Sequence, residues 1–372
     1  MVRAMYVSDL ALSDYRNYAD QVVRFERGVT MLVGRNGQGK TNLVEAIAYL
    51  ATFSSHRVSA DAALVRSGAP GAVIRAKAVE AGRERVIELE IIAGRANRAK
   101  LNRSPVKTRE ILGIVRTVTF APEDLALVKG DPAERRRFLD EIAIMRMPRY
   151  ADLKSRYDKI VRQRAALLKS GRTSGLEVWD LQLASAGAEI SQIRAQLVAD
   201  LAPHVAEAYA ALAEGAVAGV QLAPSLETTE ERYGLETGAA SLEQRMLTAV
   251  QKVRQRELDR GLCLVGPHRD ELALSIGDLP ARGYASHGES WSLALALRLA
   301  SFTLLADDDP PILILDDVFA ELDSRRRSRL AQMVGAAEQV FVTAAVEGDV
   351  PEELVGRTLR VDAGTVTEVS DE

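Results

Sequence analysis

The sequence has few of the residues that build disulfide frameworks and metal cages. Its 372 residues include one cysteine and four histidines. A single cysteine cannot form a disulfide within the chain, and the apolar neighbours of Cys263 predict a buried residue on a strand. The histidines are scattered without the spacing of zinc ligands. We therefore expect neither a disulfide-stapled fold nor a zinc site.

Long apolar segments are also lacking. The run 292–306 is interrupted by Arg298 and is too short to span a membrane, and the amino terminus lacks the apolar core of a secretory signal. No tract rich in glycine, serine or proline suggests a disordered tail. The length predicts about two or three domains. We expect a soluble, cytoplasmic protein that is ordered throughout.

The pattern of apolar residues divides the chain into three predicted domains. Residues 1–134 have the pattern of short strands around one helix, residues 135–260 have helical spacing, and residues 261–372 return to strands and helices. The predicted strands are 4–10, 21–25, 30–33, 73–79, 86–92, 115–120, 262–265, 311–315 and 339–343. The first and third domains are therefore predicted to form the two lobes of one α/β head.

The central domain has the spacing of an antiparallel helical hairpin. Apolar residues step by three and four along 150–167 and again along 186–205, and the turn 171–175 separates these limbs. Each limb has a predicted length of about 30 to 45 Å. A third helix, 241–260, returns the chain to the head, where helix 290–305 is apolar on every side and must be buried. We predict an α/β head with an inserted helical arm.

A glycine-rich loop after the strand 30–33 matches the phosphate-binding pattern G-x-x-x-x-G-K-[ST] and opens a helix. Its residues are Gly34, Arg35, Asn36, Gly37, Gln38, Gly39, Lys40 and Thr41. The glycines let backbone N–H groups surround phosphates, and the helix terminus adds a favourable dipole. Lys40 is the predicted catalytic lysine on the β and γ phosphates, and Thr41 a predicted Mg²⁺ ligand. The loop predicts binding of ATP with Mg²⁺.

Two carboxylates follow the apolar strand 311–315 directly. Asp316 and Asp317 therefore stand where a parallel strand delivers an acid beside a phosphate-binding loop. We predict that Asp316 holds Mg²⁺, directly or through water. Asp317 is then positioned to polarise the water that attacks the γ-phosphate.

The segment 286–290, here called the serine loop, precedes the buried helix. Ser286, Gly288 and Glu289 place a hydroxyl, a glycine and free helix-terminal N–H groups together, which predicts a second anion site. An ordinary helix N-cap is the alternative. A chain with a complete phosphate-binding loop needs a second cradle only for the nucleotide of a neighbour. The serine loop therefore predicts a homodimer.

These motifs, together with several shorter ones, resemble the ABC-type ATPase heads of SMC-like DNA repair proteins, and most closely the RecF family of bacterial recombination mediators. The resemblance covers nearly the full length of the chain. The shorter motifs are Asp14 to Tyr18, Ser55 to Arg57, Phe120 to Asp124, Val128 to Gly130, Gly266 to Asp270 and Val318 to Asp323. The fold that it implies is an ABC-type P-loop ATPase head whose inserted arm is a short coiled-coil-like hairpin.

The resemblance also implies roles for individual residues. Ser286 and Gly288 would contact the γ-phosphate bound to the opposite protomer, and Asp323 would meet the partner's phosphate-binding loop. Arg16 and Asn17 would lie near the nucleotide. The implied function is an ATP-gated dimer that binds single- and double-stranded DNA at gaps or junctions. It would act in recombinational repair, fork maintenance and the SOS response, and would help to load a recombinase with RecR and RecO.

The sequence departs from the usual ABC pattern at the catalytic positions. Asp317 stands where most heads carry a glutamate, and no histidine follows the strand 339–343. Glu123 or Thr343 could replace the missing glutamine and histidine of the switch. The serine loop carries His287 and Glu289 where many relatives carry glutamines. A weaker base predicts slow hydrolysis that acts as a timer for release from DNA, with turnover below about 10 per second.

The net charge of −4 does not identify a DNA surface. Two local groups of cations are candidates, one on the first limb of the arm and one on a hairpin of the first domain. The first comprises Arg149, Lys154, Arg156, Lys159, Arg162, Arg164, Lys169 and Arg172. The second comprises Arg95, Arg98, Lys100, Arg103 and Lys107. Either group could instead be an ordinary solvated face.

Two other functions remain open at this point. The ATPase subunit of a membrane transporter shares both phosphate sites, but it would place the serine loop closer to the phosphate-binding loop and would carry a glutamine loop and a switch histidine. A small-molecule kinase would have no need of the serine loop. The helical arm between the two sites favours the DNA-binding function.

Overall fold

The chain forms two compact units in the computed structural model, which describes residues 5–369 except 56, 59, 214, 226–240, 307–309, 336 and 355. The head unit comprises Met1–Leu125, Glu207–Ala216 and Trp291–Glu372, and the arm unit comprises Ala126–Ala206 and Val217–Ser290. These limits differ from the predicted domain boundaries. The division into three functional domains stays a prediction, because compactness alone does not test it.

The amino-terminal part of the head unit is rich in strands. Its elements are β1 (Met5–Tyr15), β2 (Tyr18–Arg24), β3 (Gly28–Val33), α1 (Lys40–Thr52), β4 (Gly71–Glu80), β5 (Arg83–Ile92), β6 (Arg98–Leu101), β7 (Ser104–Val106) and β8 (Thr117–Phe120). Every strand predicted in this part is present, although its bounds differ by a few residues from the predicted ones.

The middle of the chain is mainly helical. Its elements are α2 (Leu125–Lys129), α3 (Pro132–Arg146), α4 (Arg149–Lys169), α5 (Leu176–Leu212), β9 (Ala218–Ala223), α6 (Leu242–Lys252), α7 (Arg254–Arg260), β10 (Glu271–Ile276), β11 (Leu279–Pro280) and α8 (Ala281–Tyr284). The strands β9, β10 and β11 form a small antiparallel sheet that the sequence reasoning missed.

The carboxy-terminal part returns to an alternation of helix and strand. Its elements are α9 (His287–Ala306), β12 (Ile312–Asp316), α10 (Ser324–Val334), β13 (Gln339–Ala344), β14 (Arg357–Asp362) and β15 (Thr365–Glu368). The side chains of α9 from Trp291 to Leu297 are all buried, as the apolar pattern predicts. Within the described residues, no helix is both long enough and apolar enough to cross a bilayer.

Two six-stranded sheets form the head unit. The first is antiparallel with the order β2-β1-β4-β5-β6-β7, and the second has the order β15-β14-β3-β13-β12-β8. In the second sheet β14, β3, β13, β12 and β8 run parallel. The second sheet combines β3 and β8 from the amino-terminal part with β12 to β15 from the carboxy-terminal part, so two sequence-distant segments build one sheet. Its β12 is fully buried, because a parallel sheet is covered on both faces.

A buried glutamine joins the two sheets. Gln339, at the start of β13, is fully buried, and its side-chain amide accepts from Val7 N at 2.9 Å and donates to Val7 O at 2.8 Å. The pairing of β1 with β4 shifts between Val7 and Asp9, next to these two backbone groups, and the pairing of β1 with β2 begins only at Asp9. A buried amide is tolerated here because its polar atoms are satisfied.

The arm unit contains the predicted antiparallel hairpin. Arg164 pairs with Asp180, and Arg156 pairs with Glu189. The residue nearer the start of α4 therefore contacts the residue further along α5, which is the pattern of two antiparallel helices. At 1.5 Å per residue α4 is about 32 Å long, within the predicted range. The 37 residues of α5 extend about 55 Å, so the predicted length of the second limb is too short.

One residue of the basic first limb does not face solvent. Arg164 is fully buried, where it donates to Asp180 at 2.7 Å and to Glu257 of α7 at 2.6 Å. These two ion pairs compensate the buried charges of Arg164, Asp180 and Glu257, each of which would be costly to bury alone. The prediction that Arg164 belongs to a DNA surface is therefore wrong, because its guanidinium holds three helices of the arm unit together.

Two further predictions in the arm are corrected by the structure. The segment 262–265 is not a strand, because the carbonyl of Cys263 accepts from the side chains of His268 and Arg269 rather than from a neighbouring strand. Cys263 is nevertheless buried. The helix 241–260 is interrupted at Val253, which separates α6 from α7.

Candidate nucleotide-binding site

The phosphate-binding loop occupies the turn between β3 and α1, as predicted. Its glycines are required by close contacts: a Cβ on Gly34 would lie 2.2 Å from the carbonyl oxygen of Val361. Gly39 has φ +122°, and a Cβ there would lie 2.7 Å from Asn17 Nδ2. Gly37 has φ +82° with open space beside it. Only glycine combines these backbone angles with this close packing.

Lys40 lies inside the curve of the loop. It is 3% exposed, and its Nζ donates to Gly34 O at 2.8 Å. The carbonyl of Arg35 and the side-chain oxygen of Asn36 lie at 3.4 Å from the same nitrogen. The loop's own oxygens thus hold the ammonium where the loop turns, which is where a phosphate chain would need a cation.

The carboxyl ends of three parallel strands bring the predicted metal ligands together. Thr41 Oγ1 donates to Asp316 Oδ1 at 2.9 Å, although the residues are 275 positions apart. Thr343, at the end of β13, lies with its Oγ1 2.7 Å from Asp316 Oδ1 and 3.2 Å from Asp317 Oδ1. The Thr343 hydroxyl also accepts from Asp317 N at 2.9 Å. Thr343 therefore fixes both acids, and Asp317 adopts the left-handed φ of 49°.

The pKa of Asp316 is raised to about 6, mainly by burial. Hydrogen bonds from Thr343 and Thr41 oppose this rise, and the charges of Asp317 and Glu123 contribute to it. A hydroxyl and a buried carboxylate at hydrogen-bond distance fit the hard oxygen ligands that Mg²⁺ prefers. Within the described residues, no three His, Cys, Asp or Glu side chains form a metal cage. The Thr41 hydroxyl and the Asp316 carboxylate suit a Mg²⁺ that also takes ligands from phosphate and water.

Glu123 enters the site from the neighbouring strand. It follows β8, which pairs in parallel with β12, and its charge contributes to the raised pKa of Asp316. The next residue, Asp124, is buried and accepts two bonds from Arg298, at 2.9 and 2.6 Å. Asp124 thus anchors the loop while Glu123 remains exposed to solvent. Both candidates for the missing switch residues, Glu123 and Thr343, are close to Asp316.

The turn between β1 and β2 braces the phosphate-binding loop. Asn17 Nδ2 donates to Gln38 O at 2.8 Å, and Tyr18 OH donates to Gly39 O at 3.0 Å. Arg16 instead donates through Nε and Nη2 to buried Glu45 of α1, at 2.8 and 2.6 Å. Asn17 therefore contacts the loop itself, whereas Arg16 holds the turn against the following helix.

Sequence reasoning missed the importance of Glu45. Its carboxylate accepts from Ser55 Oγ at 2.6 Å as well as from Arg16, and these bonds lower its pKa despite its burial. The signal in the sequence was a single acid, Glu45, among the apolar residues of α1. Arg57 donates to Asn42 Oδ1 at 2.7 Å, so the motif 55–57 is tied to α1. His56 of that motif lies outside the described residues.

The serine loop, residues 286–290 of the arm unit, is a helix N-terminus with a capping box. Ser286 Oγ accepts from Glu289 N at 3.2 Å, and Glu289 Oε2 accepts from Ser286 N at 2.8 Å. The bonds from Ser286 lower the pKa of Glu289. Ser286 and Glu289 are exposed, and Gly288 is half-buried. The N-cap alternative thus describes the local geometry, and the contact with a partner's phosphate stays a prediction.

Asp323 caps another helix of the head unit. Its side chain accepts from Arg326 N at 2.9 Å at the start of α10 and also pairs with the Arg326 guanidinium. Arg326 in turn donates to Ser292 Oγ of α9 at 3.1 Å. Asp323 is about half exposed. Its contact with a partner's phosphate-binding loop stays a prediction.

The fold and the site define an SMC-type P-loop ATPase head. The family model described as the RecF/RecN/SMC N terminal domain matches residues 6–361. An Smc head bound to the C-winged helix domain of ScpA shares the fold, with a TM-score of 0.56 and 17% identity over 98% of this chain and 97% of that one. The predicted fold class, an ABC-type head with an inserted helical arm, is therefore confirmed.

Closer relatives identify the family. The DNA replication and repair proteins RecF of Beutenbergia cavernae and Streptomyces avermitilis are 57% and 53% identical, over 98% of this chain and 100% of theirs. A solved RecF-ATP of the RecFOR pathway has a TM-score of 0.89 and 27% identity, covering 100% of this chain and 99% of that one. The chain belongs to the RecF family of DNA replication and repair proteins. This membership argues against a transporter subunit and a small-molecule kinase.

Proposed function

We propose that the chain binds ATP with Mg²⁺ and uses it to control its own attachment to DNA. The observation that carries the nucleotide step is the 2.9 Å bond between Thr41 Oγ1 and Asp316 Oδ1, which brings the loop and the strand-end acid together. Lys40 and the backbone N–H groups from Gly34 to Thr41 bind the phosphates. The relative solved as RecF-ATP supports this ligand.

The metal would be held by Thr41 and Asp316, with phosphate oxygens and water completing its shell. When bound, it neutralises charge on the β and γ phosphates. Asp317 orients and polarises the attacking water, while the Thr343 hydroxyl fixes the direction of that carboxylate. Asp317 is shorter by one methylene than the usual glutamate. This difference supports slow hydrolysis that limits the time spent on DNA.

The dimer is proposed from the second anion site. Ser286 and Glu289 are exposed at the start of the 20-residue helix α9, and Gly288 presents backbone without a side chain. Such a helix terminus favours an anion. We infer that it approaches the γ-phosphate of the partner, so that ATP bridges two copies. Arg16, Asn17 and Asp323 would support the nucleotide or the interface from the positions described above.

The biological role is proposed from the family. DNA replication and repair is the function printed for the relatives, and one of them belongs to the RecFOR pathway. We infer that ATP-bound dimers bind single- and double-stranded DNA at gaps or junctions and assist recombinase loading with RecR and RecO. Bacterial chromosomal DNA lies in the cytoplasm, so we propose that location. Hydrolysis would release the protein.

A titration of a labelled gapped duplex tests this function. Wild-type protein with ATP and Mg²⁺ should bind the duplex, and Lys40→Ala should lose about 10- to 100-fold in ATP affinity, because a charge-assisted contact is removed. Its ATP-dependent DNA binding should be lost as well. Lys129→Ala removes an exposed lysine of the same charge and serves as the control. Equal ATP affinity of Lys40→Ala and wild type would refute the assignment of the site.

A further inference from the structure

Both basic groups of the sequence contain paired and unpaired cations. On the antiparallel sheet of the head unit, Arg98 lies 3.7 Å from Glu90, and Lys100 shares Glu88 with Arg75. The other three cations of the hairpin group are exposed outside the strands, with no ion pair in the described part of the chain: Arg95, Arg103 and Lys107. The hairpin is therefore the competing surface that a test of DNA contact must include.

The first limb of the arm unit presents unpaired cations along one side. Lys159, Arg162 and Lys169 are exposed on α4, and no carboxylate in the described part of the chain forms an ion pair with them. At 100° per residue they fall within about a quarter turn of the helix, and they extend over about 15 Å. Arg156 continues the row, with Glu189 3.7 Å away.

Two exposed arginines on the neighbouring helix α7 add to these cations. A Cβ on Gly261 would lie 2.9 Å from Lys169 Cγ, so the carboxyl terminus of α7 lies directly against the end of α4. The buried Arg164 fixes this arrangement through Glu257 of α7. Arg256 and Arg260 are exposed on α7, with no ion partner among the residues that the structure describes.

Two acids next to these cations in sequence form no ion pair with them. Asp158 pairs with Lys154 at 2.6 Å, and Asp259 accepts from the neutral amide of Gln255 at 3.0 Å, so one negative charge remains on α7. Lys154 is therefore a paired cation rather than part of the row.

We propose that the arm cation row, defined as Lys159, Arg162 and Lys169 with Arg256 and Arg260, is the surface of the arm unit that contacts the phosphates of duplex DNA. The proposal rests on the DNA-binding function above and adds the surface that performs it. When exposed cations on a helix contact DNA phosphates, counterions condensed on the DNA are released, which favours binding. Such contacts set position and affinity without selecting a base sequence.

The test compares two charge reversals of equal size in the full chain. The row variant carries Lys159→Glu, Arg162→Glu and Lys169→Glu. The matched control carries Arg95→Glu, Arg103→Glu and Lys107→Glu, which are exposed on the competing hairpin. Binding to a short labelled duplex is measured with ATP and Mg²⁺ at several KCl concentrations, and ATP binding is measured in parallel to establish that both proteins are folded.

The row variant should lose at least about tenfold in DNA affinity, and the slope of log affinity against log salt should fall by about three. The control should keep the wild-type slope. Exchanging the three row residues between Lys and Arg should preserve binding, because phosphate contacts need charge alone.

Equal losses in the row variant and the control would overturn the proposal, because they would reflect net charge only. Unchanged DNA binding by the row variant would also overturn it and would favour an acidic protein as the occupant of the row. If the wild type itself shows no salt-dependent binding, the DNA-binding function fails rather than the choice of surface.

Discussion

Asp316 is the residue whose ionisation the fold controls most directly. Its folded-state pKa of about 6 lies above the ordinary value of 3.8, mainly because the carboxyl is buried. Burial disfavours the ionised carboxylate, so Asp316 stays protonated to a higher pH in the folded chain than in the unfolded chain. Its contribution to the free energy of unfolding is fully present below pH 3.8 and is lost as the pH rises through about 6. A cation needs the ionised carboxylate. Binding of Mg²⁺ and protonation of Asp316 thus oppose each other.

Magnesium-dependent ATP affinity should therefore decrease as the pH falls below about 6, where Asp316 becomes protonated. Thr343→Val should move this midpoint to higher pH, because the Thr343 hydrogen bond lowers the pKa of Asp316. Titrating a fluorescent ATP analogue with Mg²⁺ across pH 5 to 8 measures both effects. The same titration without Mg²⁺ is the control. A flat profile for the wild type would contradict the role given to Asp316.

The motifs located these residues, but not their partners. Lys40, Thr41 and Asp316 were found from local patterns, since a phosphate-binding loop and a strand-end acid leave a signature within a few residues. The bidentate bond between Arg16 and Glu45 joins positions 29 apart, and no local spacing indicates it. The guanidinium of Arg16 holds the β1–β2 turn against α1, and its place near the nucleotide, which the resemblance implies, stays a prediction.

Among the elements, the limbs of the arm show what periodicity can and cannot predict. The apolar spacing identified α4 and the antiparallel return, because burial of one helix face requires that pattern. It did not show that Arg164 faces inward while Arg162 faces solvent. Deep burial of Arg164 depends on Asp180 and Glu257, which come from two other helices. The run 262–265 failed as a strand because four apolar residues do not specify one secondary structure.

Removing the buried guanidinium should destabilise the arm unit. Arg164→Met leaves Asp180 and Glu257 buried without their partner, which should cost about 3 to 5 kcal/mol of unfolding free energy. The matched control Arg162→Met changes an exposed arginine on the same helix and should stay within about 0.5 kcal/mol. Urea unfolding followed by circular dichroism measures both. A loss below about 1 kcal/mol for Arg164→Met would show that the network is not structural.

For the whole molecule, the main open step is assembly around the nucleotide. The serine loop has two roles available, capping its own helix and receiving the partner's phosphate. Capping is a property of one chain and is visible in the bonds between Ser286 and Glu289. Assembly would be a property of two chains and would depend on ATP.

Substitutions at Ser286 separate these roles. Ser286→Ala removes the cap hydroxyl and should cost about 1 kcal/mol of stability while still permitting dimers. Ser286→Arg places a bulky cation at the proposed interface and should leave the protein monomeric, although it still binds ATP. Light scattering after size exclusion, with a non-hydrolysable ATP analogue and Mg²⁺, gives the masses. Wild-type protein that remains monomeric at high concentration, or dimers of Ser286→Arg, would contradict the proposed sandwich.

The sequence by itself determined the phosphate-binding loop, the strand-end acids, the buried helix α9 and the helical hairpin. Each depends on residues that are close along the chain, so short-range geometry leaves a readable pattern. Only the tertiary structure decided that Thr343 fixes both acids, that Glu45 receives Arg16, and which arm cations face solvent. Those outcomes depend on strand order and helix packing, which bring together residues that are far apart in sequence.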